Sequence, residues 1–451
     1  MSMVVCMSDE NKPAIVIYTG HNELIGGDVH YAFDLVNKLV NSGYNVKILT
    51  DHNNLFSTRA DAWLKVELPI EFLDTSPKLF TPHFLEQFYS GLEQADEQQK
   101  LSGLKKVLYR LLSVNLGSSP VHWYLKVLVR LLTLTYIREH IKNFKLFTKV
   151  MKKPEHRDAV FHFNNGGFPA KVAGLWAIWA AKRAGVKRII MTVHNIARKR
   201  RLPIDIIYDT IARNCCDLII TASDQVKSEL LHKRNIPPHL CRTIRCGMED
   251  AEQLDDTACL TKLRELEITP GQPVLLITGN YEEERKGHRP LLRALAIVKQ
   301  QFPDVLLLIV GSGSEERKAL LDSEIEQLSI KENVCFLGYR TDILALNCIA
   351  NICLTPSTGV ESIPYTIIEG ARMATPVITT TMGGCSEAVI DGESGFVVVP
   401  GDVNMLADKI SFLLADPALQ ERMGGKGREL FLERFLLDKR AEEHFGIYAG
   451  N

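Results

Sequence analysis

The sequence lacks most of the features that assign a chain early. Ten cysteines are scattered through 451 residues, only Cys215 and Cys216 are neighbours, and no C-x-x-C pair occurs. Cysteine spacing therefore signals neither a zinc site nor a dithiol redox motif. Thiols in apolar runs, such as Cys335, Cys348 and Cys353, read as small buried hydrophobes of a reducing compartment. Neither charge is in excess: 53 Lys and Arg stand against 54 Asp and Glu, a formal net charge of −1. There is no global basicity to suit nucleic acid. No uncharged apolar run approaches membrane-spanning length, because residues 123–137 are interrupted by Lys126 and Arg130. The opening MSMVVCMSDENKP is too short and too acidic for a secretory signal. The expectation is a cytoplasmic protein, unless it binds the inner face of a membrane.

The chain is too long for one core, so two domains are expected. Residues 14–18 (AIVIY) form a buried strand, a polar loop ends in Gly26-Gly27-Asp28, a helix ends at Ser42-Gly43, and residues 45–50 form the next strand. This β-α-β unit implies a parallel sheet with right-handed crossovers. The glycine pair allows a ligand close to the backbone, or is an ordinary tight turn; its spacing is not G-x-G-x-x-G, so no dinucleotide fingerprint is read. Further strands at 159–163 and 188–193 deliver Asn164 and His194 to their carboxyl ends, where ligands gather in open α/β sheets. Arg198, Lys199, Arg200 and Arg201 add an anion-attracting loop there. A lone histidine at a strand end is otherwise a structural residue.

Residues 101–157 differ from their surroundings. Twelve Lys and Arg are opposed only by Glu139 and Glu155, and leucines, Trp123 and Tyr124 lie between the charges. This pattern suits a helix lying on an anionic membrane. It equally suits core-packed helices with a solvated basic face. Residues 250–270 are acidic and irregular and read as a linker.

From residue 273 the strand-helix alternation resumes. Residues 274–278 (VLLIT) precede Gly279-Asn280 and a loop ending Arg285-Lys286-Gly287, and residues 305–310 (VLLLIV) precede Gly311-Ser312-Gly313. The strand at 351–356 leads to Glu361 and Glu369, with seven residues between them. Ser362 is expected to cap the following helix and Pro364 to sit in its first turn, placing Glu361 in the loop and Glu369 two turns in. Such a corner presents backbone N–H groups that favour an anion. Its carboxylates suit sugar hydroxyls. The alternative is a pair of solvated surface glutamates.

These motifs, in order, resemble the donor domain of glycosyltransferase family 4, retaining enzymes of GT-B architecture. The segments are Gly279-Asn280 with Lys286-Gly287, Val310-Gly311-Ser312-Gly313, Gly338-x-Arg340-x-Asp342, Glu361 and Glu369, then Gly383-Gly384-x-x-Glu387 and Asp391-Gly392-x-x-Gly395. The first half matches more loosely, through Gly26-Gly27, His194 and Cys246-Gly247-Met248-Glu249. The resemblance implies two doubly wound Rossmann-like α/β domains facing across a cleft. They would span residues 1–250 (acceptor side, with the basic insertion at about 101–157) and 271–428 (nucleotide-sugar donor side). A linker at 251–270 joins them, and a helix at 429–451 returns to the first domain.

The resemblance also implies roles. Glu361 is placed near the donor sugar, Glu369 on the nucleotide ribose, and Lys286 on the diphosphate. His194 and Asn164 face the sugar from the first domain. Ser362, Ile363, Tyr365 and Thr366, with Gly26 and Gly27, supply phosphate contacts, and Arg285, Asn280, Gly338, Arg340 and Glu387 complete the donor site. The implied reaction moves a sugar from a nucleotide-diphosphate sugar to a hydroxyl with retention, without covalent intermediate or cofactor. No D-x-D follows a strand, so no metal is required. The expected partners are the donor and a glycan or glycolipid acceptor at an anionic membrane surface, with no nucleic acid. Three positions depart from the family pattern: Asn280 replaces an arginine, Asn164 a histidine, and Ser362 and Pro364 glycines. Arg285 is the candidate to replace the lost cation. The rival readings are a nucleotide-sugar epimerase of the same architecture and a non-catalytic sugar-nucleotide-binding partner subunit.

Overall fold

The apolar runs of the first half become one parallel sheet. The computed structural model describes residues 12–19, 27–51, 64–73, 135–170, 172–195, 197–200, 204–251, 254–359 and 361–450. Gly26, Arg201, most of residues 52–100 and residues 101–134 of the basic segment lie outside them. The strands are β1 (Ile15–Thr19), β2 (Val46–Asp51), β3 (Ile70–Leu73), β4 (Val160–Asn165), β5 (Arg188–Val193), β6 (Leu218–Thr221) and β7 (Cys241–Thr243). They pair in the order β3-β2-β1-β4-β5-β6-β7. Every residue of β1 and β4 is buried, as a parallel sheet covered on both faces requires. Around it lie α1 (Gly27–Asn41), α2 (Thr135–Met151), α3 (Val172–Ala184), α4 (Ile204–Cys215) and α5 (Asp224–Arg234).

The second half repeats the plan. Strands β8 (Val274–Thr278), β9 (Leu306–Val310), β10 (Val334–Gly338), β11 (Ile352–Thr355), β12 (Val377–Thr380) and β13 (Gly395–Val398) pair in the order β10-β9-β8-β11-β12-β13. The helices of this half are α6 (Asp256–Glu265), α7 (His288–Val298), α8 (Glu315–Gln327), α9 (Ile343–Ile349), α10 (Tyr365–Arg372), α11 (Val403–Leu414) and α12 (Pro417–Arg434), and α13 (Leu437–Ala449) ends the chain. The strand order reverses beside β1 and β4 in the first sheet and beside β8 and β11 in the second. Connections leave such neighbours in opposite directions and open a crevice at their carboxyl ends. Asn164 lies at the end of β4, Lys286 follows β8 and Glu361 follows β11, while His194 follows the neighbouring β5.

Three expectations are corrected. The stretch read as an irregular linker contains α6. Asp255 caps it by accepting the Ala258 N–H at 2.8 Å, and Cys259, Leu263 and Leu266 form an apolar stripe against the core. The helix expected over 429–451 is broken at Phe435 and Leu436. There the Phe435 carbonyl accepts the Met248 N–H at 2.8 Å and Leu437 donates to the Met248 carbonyl at 2.9 Å. These bonds stitch the boundary segment to the returning chain, and α13 packs on α1 of the first domain. The scattered-thiol reading fails for one pair: α6 and α9 bring Cys259 and Cys348 together as a disulfide, with Cα atoms 5.9 Å apart.

Within the described part of the basic segment, α2 buries His140, Asn143, Phe147 and Val150 at helical spacing. Lys142, Lys145 and Lys149 lie on its exposed face. No helix among the described residues is long and apolar enough to cross a membrane.

Candidate active site

The loops after β8 and β11 are held together by backbone contacts. Glu284, Arg285 and Lys286 form one 3-10 turn, and Gly287 follows with φ +81°. A Cβ at Gly287 would lie 1.9 Å from the Pro356 carbonyl oxygen, so only glycine allows this approach. The Thr358 N–H donates to the Arg285 carbonyl at 2.7 Å. Two adjacent cations are thereby turned onto one carboxylate. Arg285 Nη1 lies 2.5 Å and Lys286 Nζ 2.6 Å from the same Oε1 of Glu361. Glu361 is only 7% exposed. A buried carboxylate needs such partners, and removing it would leave two cations repelling each other. Glu283 also pairs with Arg285, so the cluster sets two cations against two carboxylates at one end of the crevice.

The segment after Glu361 folds differently from expectation. Ile363 precedes a proline, which disfavours helical geometry, and Pro364 itself is extended at ψ 136°. Helix α10 therefore starts at Tyr365, with Pro364 rather than Ser362 at its cap position and no side-chain capping bond. The Ser362 hydroxyl is buried without a hydrogen-bond partner. The Ile363 side chain is buried, and its carbonyl accepts the Cys246 thiol of the boundary segment at 3.8 Å. Tyr365 faces His30 of α1, with ring centroids 6.3 Å apart. Thr366 is bonded to Thr355 of β11 at 3.1 Å. Glu369 lies one turn into α10, not two, and is half-buried. Burial pushes its carboxyl up to about 7, against the opposing pull of Arg372.

In the first domain the expected pair comes together. His194 Nε2 is 2.7 Å from Asn164 Oδ1. An amide oxygen only accepts, so Nε2 carries the proton in this bond. The Asn164 amide nitrogen reaches Thr19 Oγ1 of β1 at 3.5 Å, in keeping with that orientation. Tyr31 of α1 packs edge-on against the His194 ring at 4.6 Å, and its hydroxyl bonds His444 Nε2 of α13. His162, two residues before Asn164, is bonded to Thr192 at 2.7 Å and to Tyr448 of α13 at 2.6 Å. Burial holds the His162 and His444 imidazoles below the usual histidine range, His444 at about 4. The returning helix thus braces the floor beneath His194, which no local sequence signal indicates.

The remaining predicted residues occupy other places. Asn280 Oδ1 accepts the Glu282 N–H at 2.6 Å and shapes the loop, leaving the cation role to Arg285. Gly338 ends β10 with φ +65°, and its carbonyl accepts the Gly311 N–H at 2.8 Å. Arg340 is bonded to Asp342 and, at 2.8 Å, to Glu265 of α6, so its guanidinium is held among those carboxylates rather than with Lys286. Glu387 is engaged with the N-terminus of α5, in the other domain. Gly27 opens α1.

Glycosyltransferases of known structure share this arrangement. One from Rickettsia africae superposes with a TM-score of 0.73 at 18% identity, covering 97% of this chain and 98% of that one. HepE from Anabaena, solved in complex with UDP, also gives 0.73, at 17% identity, covering 97% of this chain and all of that one. The fold is therefore GT-B. Residues 25–252, just over half the chain, match Glycosyltransferase Family 4, and residues 261–430 match Glycosyl transferases group 1. The chain belongs to glycosyltransferase family 4. A curated relative, phosphatidyl-myo-inositol mannosyltransferase of Mycobacterium leprae, is 37% identical over 161 residues, 35% of this chain and 41% of that protein. GDP-mannose-dependent alpha-(1-6)-phosphatidylinositol monomannoside mannosyltransferase of Mycolicibacterium smegmatis is 27% identical over 264 residues, 56% of this chain and 68% of that protein. The capsular polysaccharide biosynthesis glycosyltransferase CapM of Staphylococcus aureus is 31% identical over 150 residues, 33% of this chain and 39% of that protein. The chain spans about two fifths of the length of the first curated relatives it matches.

Proposed function

We propose that the protein is a retaining glycosyltransferase. It would move a sugar from a nucleotide-diphosphate sugar to a hydroxyl of a lipid-linked or surface glycan precursor. The observation that carries this reading is the convergence of Arg285 and Lys286 on Glu361 at the mouth of the β8/β11 crevice. Two cations held in place suit a leaving diphosphate, whose charge grows as the anomeric carbon–oxygen bond breaks. Family membership and the UDP complex of a structural neighbour support the same ligand class.

In this mechanism the donor diphosphate takes Lys286 and Arg285 from Glu361. The freed carboxylate then orients sugar hydroxyls and stabilises positive charge at the anomeric carbon. Glu369 accepts the ribose hydroxyls, and Ser362 offers an unpartnered hydroxyl to the phosphate. His194 and Asn164 face the sugar from the other domain. The acceptor oxygen bonds to the anomeric carbon on the face the phosphate leaves. The acceptor proton passes to the departing phosphate oxygen, and the nucleoside diphosphate is released. No cofactor or metal takes part in this proposal.

The proposed acceptor lies at a membrane surface. Ile141 of α2 is 49% exposed beside Lys142, Lys145 and Lys149, an arrangement that suits an anionic leaflet. The two mannosyltransferase relatives are named for phosphatidylinositol lipids, which points the same way. The test is to incubate the purified protein with a panel of nucleotide sugars, with and without membrane lipid extract. Transfer to lipid is the expected result. Isomerisation without acceptor, or binding without turnover, would overturn the reading. Flotation with anionic and neutral liposomes checks the surface separately, and equal failure to bind either removes it.

A further inference from the structure

We infer that Glu387 is a positioning residue that sets the angle between the two domains, by capping helix α5 across the cleft. The first N–H groups of a helix have no partner within it. In α5 the Ser223 hydroxyl accepts the Val226 N–H at 3.1 Å. The N–H groups of Asp224 and Gln225 instead donate to Glu387, at 3.0 Å to Oε2 and 2.9 Å to Oε1. A carboxylate of the second domain therefore completes the cap of a helix in the first. Such charge-assisted bonds are the stronger kind, and the helix dipole adds to them.

Two further contacts make this a built joint. Arg245 Nη2 lies 3.0 Å from Glu387 Oε2 and 2.5 Å from Asp224 Oδ2, so one guanidinium joins carboxylates from both domains. Arg245 directly precedes the segment 246–249 where the chain crosses between domains. Gly384, on the same turn as Glu387, closes the gap: a Cβ there would lie 2.9 Å from Ser223 Cβ and 3.1 Å from its Oγ. Any larger residue would push α5 away. The Gly384 N–H also donates to the Glu361 carbonyl at 3.3 Å. The cap of α5 is thus joined through this turn to the backbone of Glu361, whose side chain holds Arg285 and Lys286. Both Glu387 oxygens are engaged by Asp224, Gln225 and Arg245 of the first domain, so its role is to place Glu361 relative to that domain rather than to bind donor. This inference stands on domain geometry and does not require the proposed reaction.

The test uses the full chain and the variants E387A, E387Q and R245A, each checked for folding by circular dichroism. Three measurements are made: hydrogen exchange of a peptide containing Asp224 and Gln225, the radius of gyration by solution scattering, and titration with UDP and with GDP. For E387A the two amides should exchange about tenfold faster, the value expected for losing charge-assisted bonds. The radius of gyration should rise. Affinity for whichever nucleotide binds the wild type should stay within about twofold, as for a substitution away from the ligand. E387Q keeps one acceptor oxygen and should fall between wild type and E387A. R245A should shift the same quantities, and the double variant should be no worse than E387A, because the residues act as one unit. Unchanged exchange and radius of gyration would overturn the inference, even with a lower melting temperature. A tenfold loss of nucleotide affinity at constant radius of gyration would overturn it too, by making Glu387 a donor ligand.

Discussion

Arg285 reaches Glu361 from a different loop, with Nη1 2.5 Å from a carboxylate oxygen that Lys286 also occupies at 2.6 Å. The contact answers the question raised by Asn280. The family pattern has an arginine at that position, and here the side chain turns back to its own loop at the Glu282 N–H. The second cation comes from the residue next to Lys286, supported by the Thr358 N–H on its carbonyl. Arg285→Ala is expected to lower kcat/KM for sugar transfer about 10- to 100-fold, and Lys286→Ala about 100- to 1000-fold, the range for removing donors from a charge-stabilising site. Arg285→Lys should recover only part of the loss, because a planar fork is replaced by a point charge. Steady-state kinetics of the three variants checks this.

Glu369 gives a pH dependence of known sign. Its carboxyl is raised from 4.5 to about 7, first by burial. Between these values the folded protein holds a proton that the unfolded chain has lost. The contribution to stability is therefore complete below the lower value and is lost as pH rises through the upper one. Ribose hydroxyls donating to Glu369 favour its ionised form, so nucleotide affinity should rise as pH increases through about 7. Glu369→Gln should flatten both profiles. Calorimetric titration with UDP or GDP across this range, beside urea unfolding at the same pH values, provides the measurement.

A second ion cluster holds the first domain together. Arg234 is fully buried with Asp205 and Asp209, its Nη2 2.7 Å from Asp209 Oδ1. Arg198 and Arg200 bind the same two carboxylates from the loop after β5. Arg234→Met should cost about 3–5 kcal/mol of stability, because buried carboxylates lose their internal partner. Chemical denaturation reads the loss directly. Arg234→Lys should not restore it, since one ammonium cannot span both acids.

Gly287→Ala should damage the donor site without greatly affecting the rest of the second domain. The added Cβ would meet the Pro356 carbonyl at 1.9 Å in a left-handed backbone conformation, so the turn carrying Arg285 and Lys286 must shift. The expected result is loss of nucleotide binding with near-normal far-ultraviolet circular dichroism.

Much of this was legible in the sequence because parallel strands buried on both faces read as continuous apolar runs. The runs that became β1, β4, β8 and β11 marked the strand ends where Asn164, Lys286 and Glu361 now lie. The order of motifs around Lys286 and Glu361 was equally visible. What could not be read is contact across long separations. Tyr31 meets His444 and His162 meets Tyr448 over 413 and 286 residues, and nothing local to any of the four marks the pairing. Glu387 has an ordinary motif position, yet its partners belong to the other domain. The cap assigned to Ser362 failed for a local reason: Pro364 keeps Ile363 out of helical geometry and delays the helix. Helix α6 was missed because its polar composition hides one narrow stripe of Cys259, Leu263 and Leu266.

The central claim is that Lys286 and Arg285 leave Glu361 to bind a donor diphosphate. The most direct test is calorimetric titration of the purified protein with UDP and with GDP, in wild type and in Lys286→Ala. At least one nucleotide should bind the wild type, and Lys286→Ala should weaken it about 100-fold while the protein stays folded, a loss of roughly 2.7 kcal/mol. Equal affinity in the folded variant would contradict the account.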